Sequence, residues 1–245
     1  MAYFSVSGLF LRRDGKELLH DISFEVEKGT LTLIAGRNGS GKSMLLKAIK
    51  GLEKYDEGKI VLAGDEIRKS MDRMRRIGLV FQDAALEIVG STLRKDIAFG
   101  LENQGLAEDD IAKITDRMLH EFSLEDKADC SPAILSGGEK RKLCIAGVLA
   151  MSTELLLLDE PFANLDYPSA KTVLRTLLDL KKKGETLIIV SHEAEKIAAH
   201  TDNIIILKDG RIKEKGPSED MVDLLMENDI YIPANVPFEE LTWLR

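Results

Sequence analysis

The sequence predicts an α/β fold in which a parallel sheet is flanked by helices and organised around a glycine-rich loop. Three observations carry this. Residues 30–35 (TLTLIA) are apolar enough for a buried strand, and they run straight into Gly36-Arg37-Asn38-Gly39-Ser40-Gly41-Lys42-Ser43, which opens a helical stretch. Residues 155–158 are a continuous leucine run, the pattern of a central parallel strand covered on both faces. Residues 186–190 read as a further strand of the same kind.

The remaining elements follow in order. Residues 3–11 read as a first strand, Asp14-Gly15 as a turn, and 18–26 as a second strand with Ile22, Phe24 and Val26 on one face. This hairpin predicts an N-terminal antiparallel β-subdomain. After the glycine-rich loop, Met44, Leu45, Leu46, Ala48 and Ile49 suit a helix that stops near Gly51. Residues 59–63 form a short strand and Gly64-Asp65 a turn. Residues 72–76 are basic and expected to be exposed, and 77–81 form a buried strand ending at Gln82.

From Asp83 to about Ser136 the character becomes helical, with apolar spacing over 109–122, and we read it as a helical subdomain inserted at about 83–140. Ser136 and Glu139 have the spacing of a capping box, so a helix starts at Ser136 and runs to about Met151. Residues 169–182 and 193–200 are expected helices. Residues 204–207 and 211–215 form a hairpin around Asp209-Gly210, 218–227 a last helix, and the rest a tail. This divides the chain into a main domain (1–217) and a C-terminal helix and tail (218–245).

The loop at 36–43 fits G-x-x-x-x-G-K-[ST], the P-loop. Its glycines, Gly36, Gly39 and Gly41, let backbone N–H groups turn onto a polyphosphate, with Asn38 and Ser40 between them. Lys42 can reach the β/γ-phosphates and the Ser43 hydroxyl can bind Mg²⁺. The helix N-terminus that follows adds a favourable potential for an anion. By average residue usage, four such fixed positions match by chance in on the order of one chain in a hundred of this length.

The leucine strand ends at Asp159-Glu160-Pro161, at the sheet edge where ligands bind in parallel α/β folds. Asp159 suits Mg²⁺ and Glu160 suits a proton acceptor for an attacking water. An Asp-Glu pair at a strand end is common; a P-loop in the same chain makes catalysis the favoured reading. His192 follows the 186–190 strand and could contact a γ-phosphate, although a surface histidine alone is more often inert. Gln82 could orient water or ligate Mg²⁺, or be a solvated turn residue. The Ser136-Gly137-Gly138 turn is both a helix cap and a second anion site by the same physics.

Bulk properties narrow the partners. The net charge of −8 argues against broad nucleic-acid binding. Cys130 and Cys144 lack metal-ligand spacing and fit a reduced compartment. No run approaches the ~18–20 apolar residues of a membrane span, so a membrane role has to come through a partner.

In order along the chain these residues resemble the ATP-binding-cassette (ABC) ATPases. Walker A is Gly36 to Ser43, the Q-loop is Gln82, and the signature is Leu135-Ser136-Gly137-Gly138-Glu139. Walker B is Leu155 to Asp159 with Glu160, the D-loop is Asn164-Leu165-Asp166, and the switch histidine is His192. The resemblance spans residues 5–216. It implies ATP and Mg²⁺ held in a head-to-tail dimer, in which Ser136 and Gly138 meet the partner's γ-phosphate and Asp166 ties the two sites together. It also implies transmembrane transporter subunits seated beside Gln82, at the cytoplasmic face of the cell membrane, with either a homodimer or pairing with a paralogous ATPase.

A narrower likeness is to the ATPases of energy-coupling-factor and cobalt-type importers, which take up vitamins or transition-metal ions. Val80-Phe81-Gln82, the stretch Asp96 to Asn103, and Asp159 to Asp166 carry it. That family usually has Asn-Pro-Asp-x-Gln after the Q-loop glutamine; here Glu87 replaces the second Gln. For adenine, counting back from Walker A offers Arg12 or Arg13, whose guanidinium can stack on a base, with Phe10 or an aromatic from elsewhere as alternatives. Two other readings are a non-transport ABC ATPase, which would carry heptads or cysteine pairs in the insertion, and a non-hydrolysing regulatory subunit, which would lack Lys42, Glu160 or His192. The sequence has neither signature.

Overall fold

The computed structural model describes residues 2–244, so the two end positions of the expected division lie outside the described residues. Two sheets organise the fold. The first is antiparallel: β1 (Phe4–Arg13), β2 (Lys16–Val26), β4 (Glu57–Leu62) and the two-residue β5 (Asp65–Glu66), in the order β2-β1-β4-β5. The second has six strands: β3 (Leu31–Ala35), β6 (Ile77–Val80), β7 (Leu155–Asp159), β8 (Leu187–Ser191), β9 (Asn203–Lys208) and β10 (Arg211–Pro217). Their order is β10-β9-β3-β8-β7-β6, parallel throughout except for the β9–β10 hairpin.

The period-2 alternation of buried strands divides the core in two. Leu31, Leu33, Leu156 and Leu158 face one cluster, while Ile34, Leu155 and Leu157 face the other. The second cluster joins the antiparallel sheet to α1 (Lys42–Lys50). The first holds the inserted helices α4 (Leu93–Asn103) and α5 (Glu108–Glu121), preceded by the single turn α3 (Ala84–Glu87), together with α6 (Gly137–Ala150) and α7 (Tyr167–Lys182). The expected capping box is present: the Ser136 hydroxyl accepts from Glu139 N, and Glu139 Oε2 accepts from Ser136 N.

Three sequence expectations need correction. The basic stretch at 72–76 lies in α2 (Ser70–Arg76), and Arg73 is buried, not exposed. Its guanidinium lies over the Tyr55 ring and donates from Nη1 to the carbonyls of Ile67 and Arg68, which offsets part of the cost of taking its charge out of water.

Residues 193–200 are not one helix but two 3₁₀ turns, Ala194–Lys196 and Ala198–His200. Between them Ile197 has φ −142°. Two backbone groups that a helix would pair internally bond instead to the C-terminal segment: Ala199 N donates to Leu241 O, and Lys196 O accepts from Trp243 N. Finally, the stretch read as a tail buries Ile230, Ile232 and Leu241 in the first cluster, beyond a 3₁₀ turn (Ser218–Met221) and α8 (Val222–Glu227).

Candidate functional site

Strand register brings the sequence-selected residues together. Ala35, the last residue of β3, lies opposite Ser191 of β8, and Asp159 of β7 lies opposite Val190. Val80 of β6 lies opposite Leu158. The loops that follow these four strands therefore leave one sheet edge side by side, carrying the P-loop, Glu160, His192 and Gln82.

The P-loop is shaped by close backbone contacts. A Cβ on Gly36 would sit 2.3 Å from Leu207 O, so only glycine fits. Gly39 and Gly41 have φ of +82° and +103°, and Gly41 caps α1. The β9–β10 turn braces the loop and β2 braces that turn: Gly210 N donates to Ser40 O, and His20 N donates to Gly210 O. Ser40 Oγ is buried without a hydrogen-bond partner, an orphaned group in a cradle built for an anion.

Lys42 and Glu160 form the centre. Lys42 is 5% exposed; its Nζ donates to Gly36 O at 2.7 Å and Arg37 O at 3.1 Å, and lies 3.5 Å from Glu160 Oε1. The other carboxylate oxygen, Oε2, accepts from the Ser191 hydroxyl at 2.9 Å and from His192 N at 3.3 Å. His192 Nδ1 stands 3.0 Å from that same oxygen, but off the axis of a hydrogen bond. Glu160 itself has φ +46°, a left-handed conformation of the kind that stores strain at functional sites.

Ser43 Oγ donates to Asp159 Oδ1 at 3.0 Å. Burial pushes the Asp159 carboxyl above its ordinary range, with the Ser43 hydrogen bond opposing the shift. These oxygens are the hard donors that Mg²⁺ prefers. Two buried carboxylates facing one ammonium leave room in the charge balance for a cation, so the donor set fits that ion.

The other predicted residues lie around this centre. Gln82 is exposed, and its carbonyl accepts from Arg141 Nη2 at 2.6 Å. Arg141 also donates to Phe81 O, so α6 holds the Gln82 segment through one buried guanidinium. Ser136, Gly137 and Gly138 begin α6 beside the D-loop: Cβ atoms on Gly137 and Gly138 would press on Leu165 and Ser169. Asp166 caps α7, accepting from Ser169 N at 3.0 Å, and hydrogen bonding to Ser169 lowers its carboxyl. Arg13 is tied to Glu53 Oε2 at 3.0 Å and Lys54 O at 2.6 Å. Phe10, by contrast, stacks edge-on against His20 at 4.8 Å, and His20 touches the segment that supports the P-loop.

Sequence reasoning did not single out Ser191 as a partner of Glu160, nor Arg141. The first had a signal, its place one residue before His192. Arg141 had none, because it reads as one more basic residue in Glu139-Lys140-Arg141-Lys142.

Glu87, the departure noted above, is half-buried, and its carboxylate accepts from Phe81 N. Burial raises it from 4.5 to about 7. The folded state then holds this proton more tightly than the unfolded chain does. Stability therefore falls as pH rises from the ordinary carboxyl range to about 7 and levels off above it. Glu87→Gln removes the charge. Thermal unfolding should show a variant little different from the wild type at pH 5 and gaining on it by pH 8. A difference that does not change with pH would contradict this.

Residues 19–163 match the family described as ABC transporter. The chain is 37% identical over 224 residues to the energy-coupling factor transporter ATP-binding protein EcfA1 of Staphylococcus saprophyticus, covering 89% of this chain and 83% of that protein. It is 34% identical over 227 residues to EcfA of Methanocaldococcus jannaschii, covering 90% and 81%. The solved structure of cbiO1 from Clostridium perfringens, described as part of the ABC transporter complex cbiONQ, superposes with a TM-score of 0.83 at 31% identity, over 95% of this chain and 96% of that one.

Proposed function

The chain belongs to the ABC transporter family, whose ATP-binding proteins are ATPases, and from that premise we propose that it drives an importer of the energy-coupling-factor or cobalt type. The cargo would be a vitamin or a transition-metal ion, carried by separate membrane subunits. Among the described residues no helix is long and apolar enough to cross a membrane. The ATPase would thus work peripherally, at the cytoplasmic face.

One observation carries the hydrolytic part of this reading: Lys42, Glu160, Ser43, Asp159 and His192 converge at one sheet edge. Lys42 would hold the β/γ-phosphates of ATP. Ser43 and Asp159, with Gln82, would hold Mg²⁺, which supplies positive charge against the phosphates when bound. Glu160 would take the proton of the attacking water. Ser191 and the His192 amide fix the carboxylate oxygen that points away from Lys42, so the base keeps one orientation. His192 would contact the γ-phosphate. Arg13 would stack on the adenine by giving up its bonds to Glu53 and Lys54, and Phe10 by giving up its ring contacts to His20 and Arg12.

The Ser136-Gly137-Gly138 turn would serve the nucleotide of a second subunit, in a head-to-tail dimer linked through Asp166. This has a direct test. On dilution, specific ATPase activity should fall before nucleotide binding does, measured by phosphate release and by a fluorescent ATP analogue. Activity that stays proportional to protein at every concentration would overturn the shared-site reading.

A further inference from the structure

The C-terminal segment packs through Trp243 against the loop that follows β8. The indole of Trp243 lies under Lys196, whose Nζ is 4.1 Å from the ring centroid, and Trp243 N donates to Lys196 O at 3.2 Å. Lys196 is 4% exposed, and its ammonium pairs with Glu193. The Glu193 N–H donates to Ser191 Oγ at 3.1 Å, and that hydroxyl donates to Glu160 Oε2 at 2.9 Å. An unbroken set of contacts thus leads from the indole to the carboxylate.

The indole also meets the start of α7. The Tyr167 ring lies 5.3 Å from the Trp243 ring, and Tyr167 directly follows Asp166 at the start of α7. The segment is anchored where it does this. Leu241 is buried, its carbonyl accepts from Ala199 N, and the Thr242 hydroxyl meets His200 Nε2 at 2.7 Å.

A desolvated cation over an indole is a strong contact of its kind, and burying the ammonium makes that contact directional. The segment from Ser191 to Lys196 has no regular helix to stiffen it, only the single 3₁₀ turn Ala194–Lys196. Its shape depends on what packs against Lys196.

We propose that Trp243 is a positioning residue for hydrolysis: by clamping Lys196 and Tyr167 together it fixes the segment that orients Glu160 and His192. This rests on the roles given to Glu160 and His192 above.

The test is steady-state ATP hydrolysis by the full-length chain. Trp243→Ala should lower kcat roughly ten-fold, as small misplacements of catalytic groups do, and leave KM for ATP within about two-fold. Trp243→Phe keeps a ring over the cation and should recover most of the rate. Lys196→Met leaves the indole in place and should match Trp243→Ala, and the double variant should be no slower than either single one. Because Lys196→Met alters the opposite partner, the test survives if Trp243→Ala folds poorly.

A wild-type kcat in Lys196→Met or in a folded Trp243→Ala would overturn the proposal. So would equal losses in Trp243→Phe and Trp243→Ala, since a ring would then not be what matters. A Glu160→Gln variant run beside them separates the two levels. If it hydrolyses ATP normally, the reading of the site fails; if it is inactive while Lys196→Met is not impaired, only the clamp fails.

Discussion

Glu160→Gln lowers ATP hydrolysis by about two to four orders of magnitude, the range over which a positioned general base acts, and leaves ATP bound. The substitution is close to isosteric, and the amide oxygen can still accept from Ser191 Oγ and His192 N, so the loop keeps its shape. What disappears is the ability to accept a proton and the negative charge 3.5 Å from Lys42. Freed of that pairing, the ammonium is more available to phosphate, so affinity for ATP holds or rises. Single-turnover hydrolysis and equilibrium nucleotide titration measure the two halves separately. Turnover at the wild-type rate would remove Glu160 from the role of base.

Lys42→Ala acts on binding instead. A charged hydrogen bond to phosphate contributes about 1.5–3 kcal/mol, so affinity for ATP should drop roughly ten- to hundred-fold. A second effect runs through the fold. Lys42 pairs with the buried carboxylate of Glu160, and it also closes the loop by bonding Gly36 O and Arg37 O. Removing one partner of a buried ion pair typically costs about 3–5 kcal/mol, because the other charge stays desolvated. The variant should therefore unfold at lower temperature even without nucleotide. Calorimetric titration and thermal unfolding test both effects. Unchanged ATP affinity would show that the ammonium serves the fold alone.

The sequence was legible where function depends on covalent spacing. A P-loop is eight consecutive residues between a strand and a helix, and its steric demands, such as the glycine pressed on Leu207 O, are written locally. Buried parallel strands announce themselves as unbroken apolar runs, and their shared direction alone sends Asp159, Glu160 and His192 to one edge. Contacts between distant residues were not legible. Ser191 meets Glu160 across 31 positions, and Arg141 meets Phe81 across 60.

The failed helix at 193–200 has the same cause: Leu241 and Trp243 compete for its backbone groups, and nothing within those eight residues announces that competition. The burial of Ile230, Ile232 and Leu241 escaped notice because Pro233 and Pro237 interrupt any periodic apolar pattern, so the stretch reads as a tail.

Trp243 is the chain's single tryptophan. Ultraviolet emission from the native protein thus comes overwhelmingly from an indole in contact with both Lys196 and the Tyr167 ring at the start of α7. Its wavelength and quenching respond to the field of one buried ammonium and to water entering beside it. The molecule carries its own optical reporter, so any repacking of the segment around Lys196 during nucleotide binding or turnover can be followed in a stopped-flow instrument without attaching a dye.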